Sequence, residues 1–411
     1  MADNEILTHK RISLEAADML EEKLVFARSI NRNREKDFAK KDGYAIGDEV
    51  TIALPPVPVV TKGVDFSEED AKLNAKEQSV KLKIDTHNHV GLRFGVTERM
   101  LQLDDFKKRF LEPAINSLAT DIDADLVKRA IVAVNNYVVQ ASNEIHPTAA
   151  FGRARSLMNQ ALAPDSGRFA LLSSDFTNSI VNTSGQIFNP TAEISKQYKE
   201  GYIGRARGFE FIESEYLYAQ TYGTATGLTV SGANQVGGVL AVTITAAQTV
   251  KKGQVFTIAG VHSVHPLTRQ STGKLMQFVV LEDATATGTT ENLKIYPEIK
   301  PTVNGSGARL ANANVTASPA TGAVITFGGS VNAIVDQALC YTENAFAAAF
   351  VPVPVVAGCE GYKVNDSQIG LTIQTGGNFN NLSEGTRIDV CYGFTAVRGN
   401  HACRVVTPRA A

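Results

Sequence analysis

Charge is spread so unevenly along this chain that a single uniform domain is excluded. Residues 1–110 hold 39 of the 82 charged side chains, whereas residues 222–330 hold only 11, together with 14 Gly and 17 Thr. A shift of that size marks domain boundaries near Tyr222 and Ser330. The 411 residues are enough for two or three domains, and 44% apolar content excludes wholesale disorder. A net charge of −2 argues against a dedicated nucleic-acid binder, which carries a clustered basic excess. The best apolar run, Ala345 to Ala357, is broken by Pro352 and Pro354, so no membrane span is expected. Asp3 and Glu5 interrupt any apolar signal core, which argues against Sec export. With no Trp there is little material for aromatic ligand pockets.

The charged N-terminal part opens on a helix, with Ser13 as its expected N-cap and Leu14, Ala17, Leu20, Leu24 and Ala27 at helical spacing. The charged stalk Asn31 to Asp42 isolates it, so the helix either folds back on its own core or docks on a neighbouring subunit. Val50, Ile52 and Leu54 alternate until Pro55, Pro56 and Pro58, and alternation returns from Val80 to Val96. The spacing predicts a long two-stranded arm with a charged tip at Ser67 to Glu77. A lone hairpin of that kind is marginal in water and implies support from another chain.

From Asp104, Phe106, Phe110, Ala114, Leu118 and Ile122 step by four, with a kink expected at Pro113. Thr148 is expected to cap a helix carrying Phe151, Ala154, Met158 and Leu162 and stopped at Pro164. An α+β texture follows to Tyr222. Between 222 and 330 the segments Val239–Thr245, Val255–Ile258, Lys274–Leu281, Leu293–Ile299 and Val324–Phe327 are β-branched or alternating, with Gly, Pro and Asn turns between them. They predict a small all-β sandwich or barrel inserted into the α+β part. That texture resumes after Ser330 and ends in strands Arg387–Tyr392 and Arg404–Thr407.

Few residues carry recognisable chemistry. His87 and His89 form a His-x-His pair of the kind that ligates metal in hydrolases. Their phase places them with Lys81, Lys83, Asp85 and Arg93 on a polar strand face, so a solvated face is the expectation. Ser271-Thr272-Gly273-Lys274 lacks the first Gly and the following Ser or Thr of a phosphate loop, and reads as a turn. His262 and His265 are placed in a loop before Pro266. Cys340, Cys359, Cys391 and Cys403 lack metal-ligand spacing and read as reduced core thiols. Arg28, Arg32, Arg34, Lys36, Lys40 and Lys41 are interleaved with acids and lack aromatic platforms, which fits a solvated or subunit-contacting stalk. A weak, non-specific contact with packed nucleic acid needs only a few such cations.

Three stretches carry a family likeness. The first is Phe169-Ala170-Leu171-Leu172-Ser173-Ser174, followed by Glu200 to Arg205, Gly208-Phe209-Glu210-Phe211 and Thr221-Tyr222-Gly223-Thr224. The second is Lys252 to Val261 with His265-Pro266 and Gln270-Ser271-Thr272-Gly273. The third is Thr386 to Gly393. Together they resemble the coat proteins of tailed phages with the Hong Kong 97-type fold, in the P22 group whose members carry an inserted β domain. The resemblance implies an α+β capsid fold in six parts: N-arm (1–45), E-loop hairpin with peripheral strands (46–96), spine-helix region (97–140), axial domain (141–221 and 331–411) and inserted β domain (222–330). It implies a non-enzymatic major capsid protein without cofactor or metal, found in the virion and, during assembly, in the host cytoplasm. Implied partners are copies of itself in pentamers and hexamers, a scaffolding protein, a portal and, weakly, packaged DNA. Leu20, Leu24, Arg32, Arg34, Glu68, Glu69, Asp70 and Lys72 are the candidate intersubunit contacts. The alternatives are an encapsulin-type compartment shell and, from another class, a metal-dependent hydrolase using His87 and His89.

Overall fold

A computed structural model describes residues 9–33, 35, 38, 47–58, 60, 64, 68, 75–94, 107–140, 148–187, 204–303, 311–364, 369–378 and 383–408. The chain divides into two compact units. The first holds 1–52, 80–127 and 346–397; the second holds 53–79, 128–345 and 398–411. The chain segment 222–330 therefore shares a unit with the α+β segments that flank it. Among the described residues no helix is long and apolar enough to cross a membrane.

The first unit is built on a six-stranded sheet. Its order is Glu49–Leu54, Gln78–Phe94, Ser383–Ala396, Leu371–Asn378 and Glu360–Val364, with Phe346–Val351 also paired to Ser383–Ala396. Glu49–Leu54 and Gln78–Phe94 are neighbours as expected, but the second strand is not confined to that pair: from Ile84 to Phe94 it also pairs with Gly393 to Glu384 of its own chain. Helix α1 (His9–Lys23) packs on the strands Glu360–Val364 and Leu371–Asn378 and buries Ala16, Ala17 and Leu20, with Leu24 buried just past its end. Of the two fates open to it, this helix takes the fold back onto its own chain. Ser13 is not its cap. It lies a turn inside the helix, fully buried, with its hydroxyl donating to the Tyr362 carbonyl at 3.3 Å.

Helix α2 (Glu112–Ala133) follows a wide helical turn at Lys107–Leu111. Pro113 stands at the junction, where the wide turn passes into the regular α-helix. Ile115, Leu118, Ile122 and Leu126 line its buried stripe. The expected residues Asp104 and Phe106 lie outside the described residues.

The second unit carries a seven-stranded sheet. Its order is Tyr137–Val139, Ala402–Pro408, Ile334–Thr342, Arg168–Leu172, Phe209–Glu213 and Arg205–Ala206, with Gln220–Thr221 on Ile334–Thr342. Helix α3 (Thr148–Gln160) lays Phe151, Ala154 and Met158 on Ala170, Leu172, Phe211, Ala338 and Val405. Leu162 is not part of α3. It takes a left-handed φ of 62° just past the helix end and is exposed, while α4 (Ser174–Ile187) adds Phe176 and Ile180 to the same core.

Residues 228–327 form a second, antiparallel sheet of six strands: Ile325–Phe327, Val255–Val264, Ser271–Val280, Thr290–Ile299, Gly237–Thr243 and Thr229–Val230. Its two ends meet. Val230 N donates to Ala323 O, Gly322 N to Val230 O and Ile325 N to Leu228 O, which closes the sheet into a barrel. Leu240, Val242, Phe256, Ile258, Phe278, Val280, Leu293 and Ile295 fill it. The chain leaves the seven-stranded sheet at Gln220–Thr221 and returns at Ile334–Val335, and these two segments pair with each other. Two small readings change here. His262 lies in strand Val255–Val264, and Ser271 to Lys274 begin a strand with Gly273 at φ 73°, so neither is a simple loop or turn.

Candidate functional site

Among the described residues three polar clusters tie distant segments together, each inside one unit. The first ties α1 to α2. After α1 the chain turns through Val25, Phe26 and Ala27, whose amides point at one carboxylate. Asp123 of α2 accepts from Val25 N at 2.7 Å and from Phe26 N and Ala27 N at 3.2 Å each, and is fully buried. Burial pushes this carboxyl above the usual carboxylate range, while the three amides pull it back toward the charged form. Nearby, Arg32 pairs with Glu21 at 2.8 Å, and burial pushes the Glu35 carboxyl up to about 7.

The second cluster contains His87, and its cause is a bulge. Ile84 faces Gly393 and Thr86 faces Tyr392, so two steps on one strand answer one step on its partner and Asp85 is the extra residue. The side-chain phase flips beyond it. Leu82 and Ile84 point inward before the bulge, and His87, paired with buried Cys391, points inward after it. His87 is therefore half-buried instead of on a fully solvated face, whereas His89 is exposed.

His87 meets Asp389, a fully buried carboxylate, at 2.8 Å. A carboxylate only accepts, so His87 Nε2 carries the proton. Gln374 Nε2 donates to the other oxygen at 3.0 Å and Arg387 Nε to the first at 2.6 Å. Arg387 Nη2 sits 3.5 Å from His87 Nε2, a cation beside the imidazole that disfavours a divalent ion there. Among the described residues no group of three or more His, Cys, Asp and Glu is arranged to hold a metal ion. On the opposite strand face Tyr392 donates to Asp125 of α2 at 2.9 Å, and Asn88 to Asp121 at 2.6 Å.

The third cluster lies where the barrel joins the seven-stranded sheet. Tyr137, Tyr222, Val255, Val279, Val335 and Val406 form an apolar seam there. Tyr222 donates to the Tyr137 hydroxyl at 2.9 Å, which donates to Gly328 O at 3.1 Å. Under the seam lies Arg404, 1% exposed, its guanidinium 5.9 Å from the Tyr137 ring centre. Its Nη1 donates to Oε1 of Gln220 and of Gln337, both at 3.2 Å. The one sequence signal for it is a charge inside the apolar run Ala402-Cys403-Arg404-Val405-Val406.

Of the candidate contact residues, Leu20 and Leu24 are committed to their own chain's core, at 0% and 1% exposure. Arg32 is half-buried on Glu21 and Glu68 is exposed. Arg34, Glu69, Asp70 and Lys72 lie outside the described residues. Cys340, Cys391 and Cys403 are buried free thiols, with burial pushing the Cys403 thiol up to about 12; Cys359 is half-buried and free. A cleft of about 400 Å³ is lined by Gly152, Arg155, Ser156, Asn159, Gln160 and His265, and includes neither His87 nor Asp389. The polar clusters thus fasten elements together. In the second, His87 and Asp389 are held together with Arg387 and Gln374.

Comparison with known proteins agrees in kind. The family model described as "P22 coat protein - gene protein 5" matches residues 1–403. No curated protein sequence matches the chain. Among solved structures, one from Mycobacterium phage Che8 is similar over 93% of this chain and 90% of its own, at 13% identity and a TM-score of 0.44. The capsid of cyanophage P-SCSP1u is similar over 94% and 89%, at 10% identity and a TM-score of 0.45. The CUS-3 coat protein I-domain is 36% identical over 25% of this chain and 94% of its own, with a TM-score of 0.20. With a family match that spans all but the last eight residues, the chain belongs to the P22 coat protein family.

Proposed function

We propose that this chain is the major capsid protein of a tailed bacteriophage, which self-assembles into the icosahedral shell that encloses double-stranded DNA. Membership of the coat family over residues 1–403 carries this reading. Its work is mechanical and not catalytic. A subunit of this kind must keep its own elements fixed while its surfaces make repeated heterologous contacts that close into rings. The three polar clusters support such a role, because each fastens distant parts of the chain: Asp123 to 25–27, His87 to Asp389, and Arg404 to Gln220 and Gln337.

In finer detail, the Hong Kong 97-type parts map onto the chain as N-arm, E-loop, spine helix, axial domain and inserted β domain. The closed barrel leaving and re-joining one sheet between paired segments supports the inserted domain. The 22-residue α2 supports the spine helix. Scaffolding protein and portal are the assembly partners in the host cytoplasm, with Arg32, Arg34, Glu68, Glu69, Asp70 and Lys72 as contacts between neighbouring subunits. Charges of that kind set register and salt sensitivity more than strength.

Co-expression with the scaffolding protein, followed by electron microscopy, tests the reading. Closed shells of uniform size are expected. Subunits that stay monomeric under those conditions would overturn it.

A further inference from the structure

Arg404 is completely buried, and part of its guanidinium is left unanswered. Two of its five N–H donors' worth of bonding, on Nη1, goes to the carboxamide oxygens of Gln220 and Gln337. Both amides are held in that orientation from behind: Gln220 Nε2 donates to Lys252 O at 2.7 Å and Gln337 Nε2 to Tyr218 O at 3.2 Å. The other guanidinium edge, Nε and Nη2, is buried and has no hydrogen-bond partner among the described residues. The groups that act on the charge are Tyr222, Tyr218, Tyr137 and Cys403, none of them an anion at neutral pH.

Guanidinium does not lose its proton in proteins, so neutralisation is no escape from burial. A buried charge without a counter-charge is costly, and a buried unsatisfied donor in a native protein calls for a water or an ion. The geometry of the orphaned edge is specific. Nε–H and the inner Nη2–H are parallel donors, the pair that grips an anion in bidentate fashion. Both nitrogens are shut off from solvent, which favours an occupant no larger than a monatomic ion.

We propose that Arg404 is the receptor for a small inorganic anion, chloride in size and charge, sealed between the barrel and the seven-stranded sheet on the Nε/Nη2 edge. The anion supplies the charge that Gln220 and Gln337 cannot. It makes the joint between barrel and sheet depend on the anion content of the medium.

The test is urea unfolding of the full-length subunit in sodium chloride against sodium gluconate at equal ionic strength. For a dissociation constant of about 10 mM, raising chloride from about 5 to about 150 mM increases the folding constant about tenfold. Gluconate leaves it unchanged, since it is too large for a sealed site. Gln337→Glu brings a carboxylate to the guanidinium and removes the chloride response while keeping the side-chain shape. Arg404→Met removes the response as well. Should either variant fail to fold, line broadening of the chloride NMR signal by the wild-type subunit, reversed on unfolding, reads binding without a variant. Equal stability of the wild type in chloride and gluconate, with no line broadening, would mean that water alone sits on the edge and would overturn the proposal. So would a chloride response that persists in Gln337→Glu.

Discussion

Replacing Asp123 should loosen the link between α1 and α2 by an amount that its hydrogen bonds let one estimate. Its two oxygens accept three backbone amides, Val25 and Phe26 on one and Ala27 on the other. Asp123→Ala strands all three, and each buried donor left unsatisfied costs about 1–3 kcal/mol. Two effects pull the sum down. The carboxylate no longer suffers burial, and water can reach Val25, which is only half-buried. We expect a net loss of about 4 kcal/mol.

Asp123→Asn separates the contributions. Its carbonyl oxygen can replace Oδ2 and keep Val25 and Phe26, while its NH₂ group confronts the Ala27 amide. One donor is stranded, for a loss of about 1–3 kcal/mol. Urea unfolding of the subunit, followed by circular dichroism, reads both values, with an unchanged m-value showing that the compactness of each end state is preserved. A loss below about 1 kcal/mol for Asp123→Ala, or an Asn variant weaker than the Ala variant, would refute the idea that amide satisfaction holds this corner together.

Two further outcomes follow from the geometry. His401 is buried beside Arg398 and Arg168, and desolvation first, then those cations, push its imidazole down to about 4. Its folded value lies below its unfolded one, so its contribution is complete above pH 6.5 and is lost as the pH falls through about 4. The difference amounts to about 3 kcal/mol. His401→Gln should flatten the stability–pH curve by that much between those values, and a curve that keeps the wild-type slope would rule the residue out. Gly393 lies in the sheet where an added Cβ would overlap the Lys83 carbonyl, whereas nothing lies within 4 Å at Gly385 on the same strand. Gly393→Ala should lower the melting temperature by several degrees and Gly385→Ala should barely move it; equal shifts would show that the strands separate freely there.

The β character of this segment was plain from the residues, with sandwich and barrel both open, because its strands obey a local rule. Val255–Val264, Ser271–Val280 and Thr290–Ile299 are runs of β-branched and alternating residues punctuated by Gly, Pro and Asn, and the strands found overlap those expected. Pairing between distant segments was not legible. The inward turn of His87 depends on one bulged residue, Asp85, whose effect exists only relative to a partner strand some 300 positions away. Asp123 bonds to amides 96 to 98 residues before it, and no spacing rule connects them. Ser13 had every local mark of a cap, yet a tertiary contact with the Tyr362 strand put it mid-helix. Arg404 left a trace as a charge within an apolar strand, but its role needed Gln220 and Gln337 brought together in space.

The closure of the barrel bears on life inside a crowded lattice. A protein that must pack against many copies of itself meets its own surfaces at concentrations far beyond those of solution. Any open strand edge there is a template for the wrong partner, because backbone amides and carbonyls pair without regard to side chain. In the segment 228–327 the end strands use up each other's amides and carbonyls at Leu228, Val230, Gly322, Ala323 and Ile325. What the barrel then shows its neighbours is side chains, which can tell one surface from another. Closing the ring of strands thus protects fidelity: it removes the indiscriminate contact and leaves the selective ones to decide where each copy sits.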